Sequence, residues 1–322
     1  MSEWAFVALG SNLGDRASWL ARGREALAAL PDTEVVEATA PEETEPIGPG
    51  SQGPYLNQMV LVKTALAPGA LLEAGHEAER RAGRDRSVGE RWGPRTLDMD
   101  LVRYGEVTSS SPALRLPHPE LARRGFWVRE LAALVPRTFN AREAGFPDWA
   151  VVTDARRAHI DRVVGLVAAW GMARGVPVAE RDRWVRAAYL HDALRDEAIE
   201  RLRELADRDF GVPALLHGPA AARRAADEGE GDTGVLDAVR YHSVGWAAWD
   251  DAGRMLYLAD FLDPGKDFDP EGRADLAGRV PVEPAAILRD VTARRLTWAI
   301  GAGLGLPPES TAFWNAQVDA ES

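Results

Sequence analysis

The 322-residue chain is 46% apolar and 27% charged, so it has the makings of a folded protein, and its length favours two domains over one. It contains no cysteine, which excludes disulfides, iron–sulfur clusters and thiolate zinc sites and leaves metals held by oxygen and imidazole. A net charge of −12 repels nucleic acid and anionic lipid, so neither is an expected partner, and a phosphate-bearing ligand must be held by local positive charge.

The chain begins Met1-Ser2-Glu3-Trp4, without the basic region and apolar core of a signal peptide. No stretch approaches the roughly 18 apolar residues of a membrane span, so a cytoplasmic protein is expected. Trp4 to Leu9 reads as a strand ending at Gly10-Ser11-Asn12, with Ser11 or Asn12 placed to cap the following helix. Trp19, Leu20, Leu27 and Leu30 mark that helix's buried stripe. A β-type stretch around Val35-Val36 precedes a long Pro- and Gly-rich loop from Ala40 to Pro54. Then come a strand from Tyr55 to Thr64, a helix from Pro68 to Ala82 and a strand from Leu97 to Tyr104. This alternation predicts an α+β sandwich of ferredoxin-like kind. Beyond Asp154 only helical stripes remain, and the second half is expected to be all-α. The predicted domains are residues 1–145 and 153–322, with the linker inside Pro136 to Val152.

The most informative segment runs Arg91-Trp92-Gly93-Pro94-Arg95-Thr96-Leu97-Asp98-Met99-Asp100. Asp98 and Asp100 are two apart on a predicted strand, so both carboxylates leave one face while Leu97, Met99 and Leu101 face the core. Two such acids repel unless cations lie between them, and Mg²⁺ suits carboxylates that share it with substrate phosphates. Arg80, Arg81, Arg84, Arg86, Arg91 and Arg95 crowd the upstream segment, as phosphoryl-group transfer requires.

This string resembles the signature of hydroxymethyldihydropterin pyrophosphokinases, which move pyrophosphate from ATP to a pterin hydroxymethyl group. The likeness runs from residue 4 to about 137. It includes Ala8-Leu9-Gly10-Ser11-Asn12-Leu13-Gly14, Tyr55-Leu56-Asn57, Leu116-Pro117-His118-Pro119 and Arg124-Gly125-Phe126. The resemblance implies two Mg²⁺ ions on Asp98 and Asp100. It implies a pocket for 6-hydroxymethyl-7,8-dihydropterin lined by Thr44, Pro46, Ile47, Tyr55, Asn57 and Phe126. ATP would be surrounded by Glu79, Arg86, Trp92, Arg95, Leu101, His118 and Arg124, with Arg86 and Arg95 acting catalytically. Departures are Glu45 in place of a proline, His76 in place of a glutamine, and Arg115 standing in for an arginine usual nearby.

In the second half, His159, His191, Asp192, His217, His242 and Asp260 offer imidazole and carboxylate ligands, with Asp192 able to bridge two ions. A histidine followed at once by aspartate, with an earlier histidine and a late aspartate, resembles the HD superfamily. The closer similarity, over about residues 157–314, is to HD proteins that hydrolyse diadenosine tetraphosphate symmetrically. It is carried by Leu216-His217-Gly218-Pro219, by Asp237 to Gly245 and by Leu256 to Pro264. Arg195, Asp263 and Lys266 replace a lysine, a glutamate and an arginine of that pattern and keep their charge. The resemblance implies one or two divalent transition metals, Fe or Mn, and hydrolysis of a dinucleoside polyphosphate or related phosphoanhydride. A nucleotide-sensing module and a pterin-phosphate phosphatase are the alternatives.

Overall fold

A computed structural model describes residues 2–46, 52–84, 93–140 and 142–319. The chain separates into two compact units, Met1–Leu134 and Val135–Ser322. Among the described residues no helix is long and apolar enough to cross a membrane.

The first unit is a sheet with helices on its faces. β1 (Glu3–Ser11) is buried along almost its whole length, as its unbroken apolar run requires of a central strand covered on both sides. It pairs antiparallel with β4 (Tyr55–Thr64) on one side and β5 (Asp98–Tyr104) on the other. β2 (Thr33–Ala38) pairs with the outer side of β4, giving the order β2-β4-β1-β5. β3 (Glu42–Thr44) also adds to β4, inside the stretch expected to be only loop. Its sequence, Glu-Glu-Thr, has no apolar alternation to announce it.

Ala5, Val7 and Leu9 of β1 form one core layer with Val60, Val62, Met99 and Leu101. Leu20 and Leu27 of α1 (Arg16–Ala28) and Leu71 of α2 (Pro68–Arg81) complete that layer. On the other face α3 (Gly125–Leu134), a helix the sequence reading omits, buries Trp127, Val128 and Leu131. A small hairpin of β6 (Ser109–Ser111) and β7 (Leu114–Leu116) completes the unit.

Among the described residues of the second unit, the regular elements are all helices. α4 (Asp154–Ala173), α5 (Val178–Leu190), α8 (Thr233–Tyr241) and α9 (Asp251–Leu262) pack against one another. Around them lie α6 (Ile199–Leu205), α7 (His217–Asp227), α10 (Pro270–Arg279), α11 (Pro284–Gly301) and α12 (Pro308–Asp319). The segment read as a linker packs on this unit. Phe146 meets the Tyr189 ring edge-on at 6.1 Å, and the Val151 amide donates to the Ala193 carbonyl at 2.7 Å.

Candidate active sites

In the first unit, strand register sets the site. Gly10 of β1 lies opposite Asn57 of β4 and Asp98 of β5, so the three stand in one row across the sheet. A Cβ on Gly10 would come within 3.3 Å of the Asn57 Oδ1 and 3.8 Å of the Asp98 Cβ. Glycine therefore leaves the floor of a narrow pocket clear. That pocket is walled by Thr44, Glu45, Tyr55, Asn57, Arg95, Asp98, Asp100, Arg124, Phe126 and Trp127. Asn57 donates its amide to the Thr44 hydroxyl at 2.7 Å, and the Tyr55 hydroxyl donates to the Gly93 carbonyl at 3.1 Å.

A wider groove lies alongside, lined by Leu72, His76, Arg84, Thr96, Leu101, Arg115, His118 and Glu120. Arg95, Asp98, Asp100 and Arg124 line both cavities and form their shared wall. The strand alternation expected for β5 holds: Met99 and Leu101 are buried, while Asp98 and Asp100 face the cavities.

The two acids differ. Burial pushes Asp98 up, but the Arg95 guanidinium at 2.6 Å and Arg84 beside it hold its carboxyl below the usual range. Asp100 is pushed up to about 7, first by burial and then by the Asp98 charge, with Arg124 at 3.7 Å only partly compensating. Glu79 is buried behind the acids, where it accepts the Met99 amide at 2.8 Å and pairs with Arg84 at 2.6 Å. His118 accepts the Glu120 amide at its Nδ1, so its Nε2 carries the proton as a donor. Burial, with Arg124 adding to it, lowers His118 to about 4, so the ring is neutral at ordinary pH. Pro46 follows the pocket residue Glu45, while Ile47, Arg86, Arg91 and Trp92 lie outside the described residues.

Asn12 has a different task from the expected one. Asp15 caps α1 by accepting the Ser18 amide at 3.1 Å. Asn12 instead pins the Arg95 backbone from both sides, donating its own amide to the Arg95 carbonyl (3.1 Å) and accepting the Arg95 amide at its Oδ1 (2.8 Å). Its side-chain amide donates to Gln52 at 3.2 Å, and Arg16 donates to the Pro54 carbonyl at 2.8 Å. The residues flanking both cavities are thus tied through one asparagine. Gly10, Asn12 and Trp127 escape a sequence reading of their roles here, and Arg84, read only as one of six phosphate-facing arginines, is tied to Asp98 and Glu79. Gly10 and Asn12 do fall inside a quoted motif, which is the one available signal.

The second site is built from helix ends. His159 lies within α4 and Asp260 within α9, but His191 and Asp192 follow the last turn of α5, His217 opens α7 and His242 follows α8. All four histidines and Asp192 are buried. They form two triplets, His159/His191/Asp260 and Asp192/His217/His242, each with ligand atoms within 4.8 Å of one another. Asp192 lies between them. Its Oδ2 is 3.6 Å from the His159 Nε2, and its Oδ1 is 3.1 Å from the His217 Nε2 and 3.6 Å from the His242 Nε2. Gly218 allows the close approach of α7, because a Cβ there would come within 2.9 Å of the Val239 carbonyl.

Ring orientation is set by one repeated device. The Nδ1 atoms of His191, His217 and His242 each donate to the carbonyl three residues earlier, on Ala188, Ala214 and Val239, at 2.7, 2.9 and 2.8 Å. His159 differs, with its Nδ1 2.7 Å from the Asp263 Oδ2. A donor–acceptor bond at Nδ1 leaves the Nε2 lone pair free for a metal, the usual arrangement around a ligating histidine. Burial opposes charge on Asp192, yet His191 and the other imidazoles hold it well below the carboxylate range. For Asp260, Lys266 and Arg295 likewise outweigh burial. The donor set fits divalent transition metals. Asp263, noted in the sequence only as a departure, proves to be the acid that orients His159. Its position three residues after Asp260 was the available hint.

Residues 6–136 match the family described as 7,8-dihydro-6-hydroxymethylpterin-pyrophosphokinase. The 2-amino-4-hydroxy-6-hydroxymethyldihydropteridine pyrophosphokinase of Bacillus subtilis is 39% identical over 137 residues, 42% of this chain and 79% of that enzyme. The Pseudomonas aeruginosa enzyme of the same name is 37% identical over 136 residues, 42% of this chain and 83% of that enzyme. A crystal structure from Clostridium acetobutylicum, described as a predicted HD superfamily hydrolase involved in NAD metabolism, covers 52% of this chain and 92% of its own, at 21% identity and a TM-score of 0.47. Through its first unit, the chain belongs to the hydroxymethyldihydropterin pyrophosphokinase family.

Proposed function

We propose that the protein is bifunctional, and that its first unit transfers pyrophosphate from ATP to 6-hydroxymethyl-7,8-dihydropterin, a step of folate biosynthesis. One observation carries this reading: a narrow pocket and a wide groove share a wall made of Asp98, Asp100, Arg95 and Arg124. The narrow pocket takes the pterin, whose edge meets the Asn57 amide and whose ring lies against Phe126. The groove takes ATP, with His118 and Arg115 at its phosphates. The pterin hydroxyl oxygen bonds to the β-phosphorus in line and gives up its proton to water, the bond from that phosphorus to the α-phosphate oxygen breaks, and AMP leaves with that oxygen. Asp98 and Asp100 would hold two Mg²⁺ ions, which supply charge neutralisation between the phosphate oxygens. Arg95 and Arg124 face the same phosphates and balance the charge that grows in the transition state. The antiparallel order β2-β4-β1-β5, with α1 and α2 on one face, supports the ferredoxin-like reading of this unit. Purified protein incubated with Mg²⁺, ATP and the pterin should release AMP and the pterin diphosphate. Release of ADP instead would overturn the assignment.

The second unit we read as an HD-type helical bundle that hydrolyses a phosphoanhydride, with a dinucleoside polyphosphate such as diadenosine tetraphosphate as the favoured substrate. Two ligand triplets meeting at Asp192 support it. His159, His191, Asp192 and Asp260 would hold one ion and Asp192, His217 and His242 a second, of Fe or Mn. Such ions supply Lewis acidity toward phosphoryl oxygens. Protein purified without chelator should contain about two divalent ions per chain and yield ADP from diadenosine tetraphosphate. Metal without turnover would favour the sensor alternative. Separate function is proposed for the two units as well. Fragments divided at Leu134/Val135 should each retain one activity, whereas a cut near residue 150 removes the Phe146 and Val151 packing from the helical unit.

A further inference from the structure

Trp127 stands third in α3 and is 2% exposed, in a buried layer whose next members, Val128 and Leu131, are aliphatic. Its own ring meets polar groups. The Arg124 guanidinium lies over the ring, 4.2 Å from its centroid. The His118 ring meets it almost at right angles, at 79°, with centroids 5.0 Å apart.

Local turns gather these three side chains. The Glu120 carbonyl accepts the Arg123 and Arg124 amides, and the Arg124 carbonyl accepts the Val128 amide at 3.2 Å as α3 begins. Arg124 and Trp127 are therefore three apart on one helical turn, a spacing that makes side chains neighbours. His118 arrives from the other direction. Its amide donates to the Val102 carbonyl of β5 at 2.9 Å, and its carbonyl accepts the Leu121 amide at 3.0 Å.

The contacts run from one cavity to the other. Trp127 lines the narrow pocket, His118 lines the groove, and Arg124 lines both. The two arginines of the shared wall are also held differently. Arg95 is gripped by the Asp98 carboxylate at 2.6 Å, whereas Arg124 lies 3.7 Å from Asp100 and is stacked on the indole. Stacking holds a guanidinium by its face and does not draw on the N–H donors at its edge, which are the groups that meet phosphate oxygens. The Arg124 side chain is only 15% exposed, and cation–π attraction is strongest where the cation is desolvated.

We propose that Trp127 is a positioning residue for pyrophosphoryl transfer, holding Arg124 by stacking and His118 by a perpendicular ring contact, so that both are set toward the ATP phosphates before substrate arrives. The inference rests on the pyrophosphokinase reading of the first unit and adds a residue to its machinery. The test follows AMP release by the full chain with Mg²⁺, varying ATP and the pterin separately. Trp127→Leu keeps an apolar side chain and removes the ring. It should lower kcat about tenfold and raise the KM for ATP about threefold, while the KM for the pterin stays within about twofold. Trp127→Phe, which restores an aromatic face, should recover most of the loss. In an Arg124→Ala background, Trp127→Leu should cost no more than about threefold, because most of what the ring positions is already gone. Denaturation midpoints accompany each variant, and Trp127→Met carries the same comparison if the leucine variant does not fold. Additive losses in the double variant, equal losses from leucine and phenylalanine, or a change confined to the pterin KM would overturn the proposal and leave Trp127 as core or pocket lining. Failure of the parent to release AMP would instead overturn the pyrophosphokinase reading beneath it.

Discussion

The two units solve one problem, holding carboxylates close together, in opposite ways. In the first, a strand does it: Asp98 and Asp100 are neighbours on one face of β5 because side chains alternate along a strand. In the second, residues from five helices meet, and no two ligands except His191 and Asp192 are adjacent in sequence. The strand site forms as soon as β1, β4 and β5 are in register. The helical site depends on every helix end being placed; three of its rings are locked by carbonyls three residues upstream and the fourth, His159, by Asp263. A strand thus writes a site as a contiguous string, while a bundle writes it as scattered single residues.

The largest expected effects come from removing the central acid of each site. Asp98→Asn or Asp100→Asn should lower pyrophosphoryl transfer by at least about a thousandfold, since the two acids would hold both ions. Their effects on the metal-free fold should diverge. Like-charge repulsion alone suggests that losing either acid relaxes the protein, but the geometry restricts this to Asp100. Asp98 sits below the usual carboxylate range against Arg84 and Arg95, so its loss takes the ion pair from the partly buried Arg95 and leaves Arg84 with Glu79 alone, and should cost on the order of 1–3 kcal/mol. Asp100, raised to about 7, stabilises the fold only below its unfolded range and progressively less as pH rises through 7. At pH 8 without Mg²⁺, Asp100→Asn should therefore be at least as stable as the parent. Equal denaturation midpoints for the two variants would refute the contrast.

In the helical unit Asp192→Ala removes a ligand of the second triplet whose other oxygen reaches the first, 3.6 Å from the His159 Nε2, and elemental analysis should find both ions lost. His217→Ala should retain the ion of the other triplet. If Asp192→Ala still bound one ion with parental affinity, the bridging role would be wrong.

How much of this was legible follows from the same contrast. The acids of β5 could be read from one ten-residue string because strand periodicity alone puts them on one face. Gly10 could not be given its role, because the reason for glycine there is the Asn57 and Asp98 side chains on neighbouring strands. Asn12 read as a helix cap because its local context permits one, and only the tertiary fold brings Arg95 to it. Edge strand β3 and helix α3 were missed for different reasons: the first is three polar residues, the second a short apolar run without a clear period. In the helical unit all six candidate ligands were legible by residue type. Asp263 was not, because its purpose is defined by the His159 Nδ1.

A middle-sized effect tests whether strand sites also need remote support. Asn12→Ala frees the Arg95 backbone at one of its two hydrogen bonds and releases Gln52. Turnover should fall about ten- to hundredfold while the KM for the pterin changes little, since Arg95 acts mainly as charge develops. A change confined to the pterin KM would place the effect in the pocket instead.

The smallest expected effect concerns Glu130, a carboxyl buried on the α3 side of the sheet and outside both cavities. Its Oε1 accepts the Thr39 hydroxyl at 3.4 Å, and its Oε2 has no hydrogen-bond partner among the described residues. Burial, aided by nearby Glu42, raises it to about 8 from an ordinary value of 4.5. The folded protein therefore keeps this proton over a range where the unfolded chain has lost it. Stability from this group is fully present below about pH 4.5 and declines as pH rises towards 8. Glu130→Gln preserves shape and hydrogen-bonding capacity without the ionisation. It should raise stability by on the order of 1–2 kcal/mol at pH 8.5 and change it little at pH 4.5. The difference between denaturation midpoints at the two pH values measures it directly. A substitution that is equally stabilising or destabilising at both would show that Glu130 titrates alike in the folded and unfolded chain.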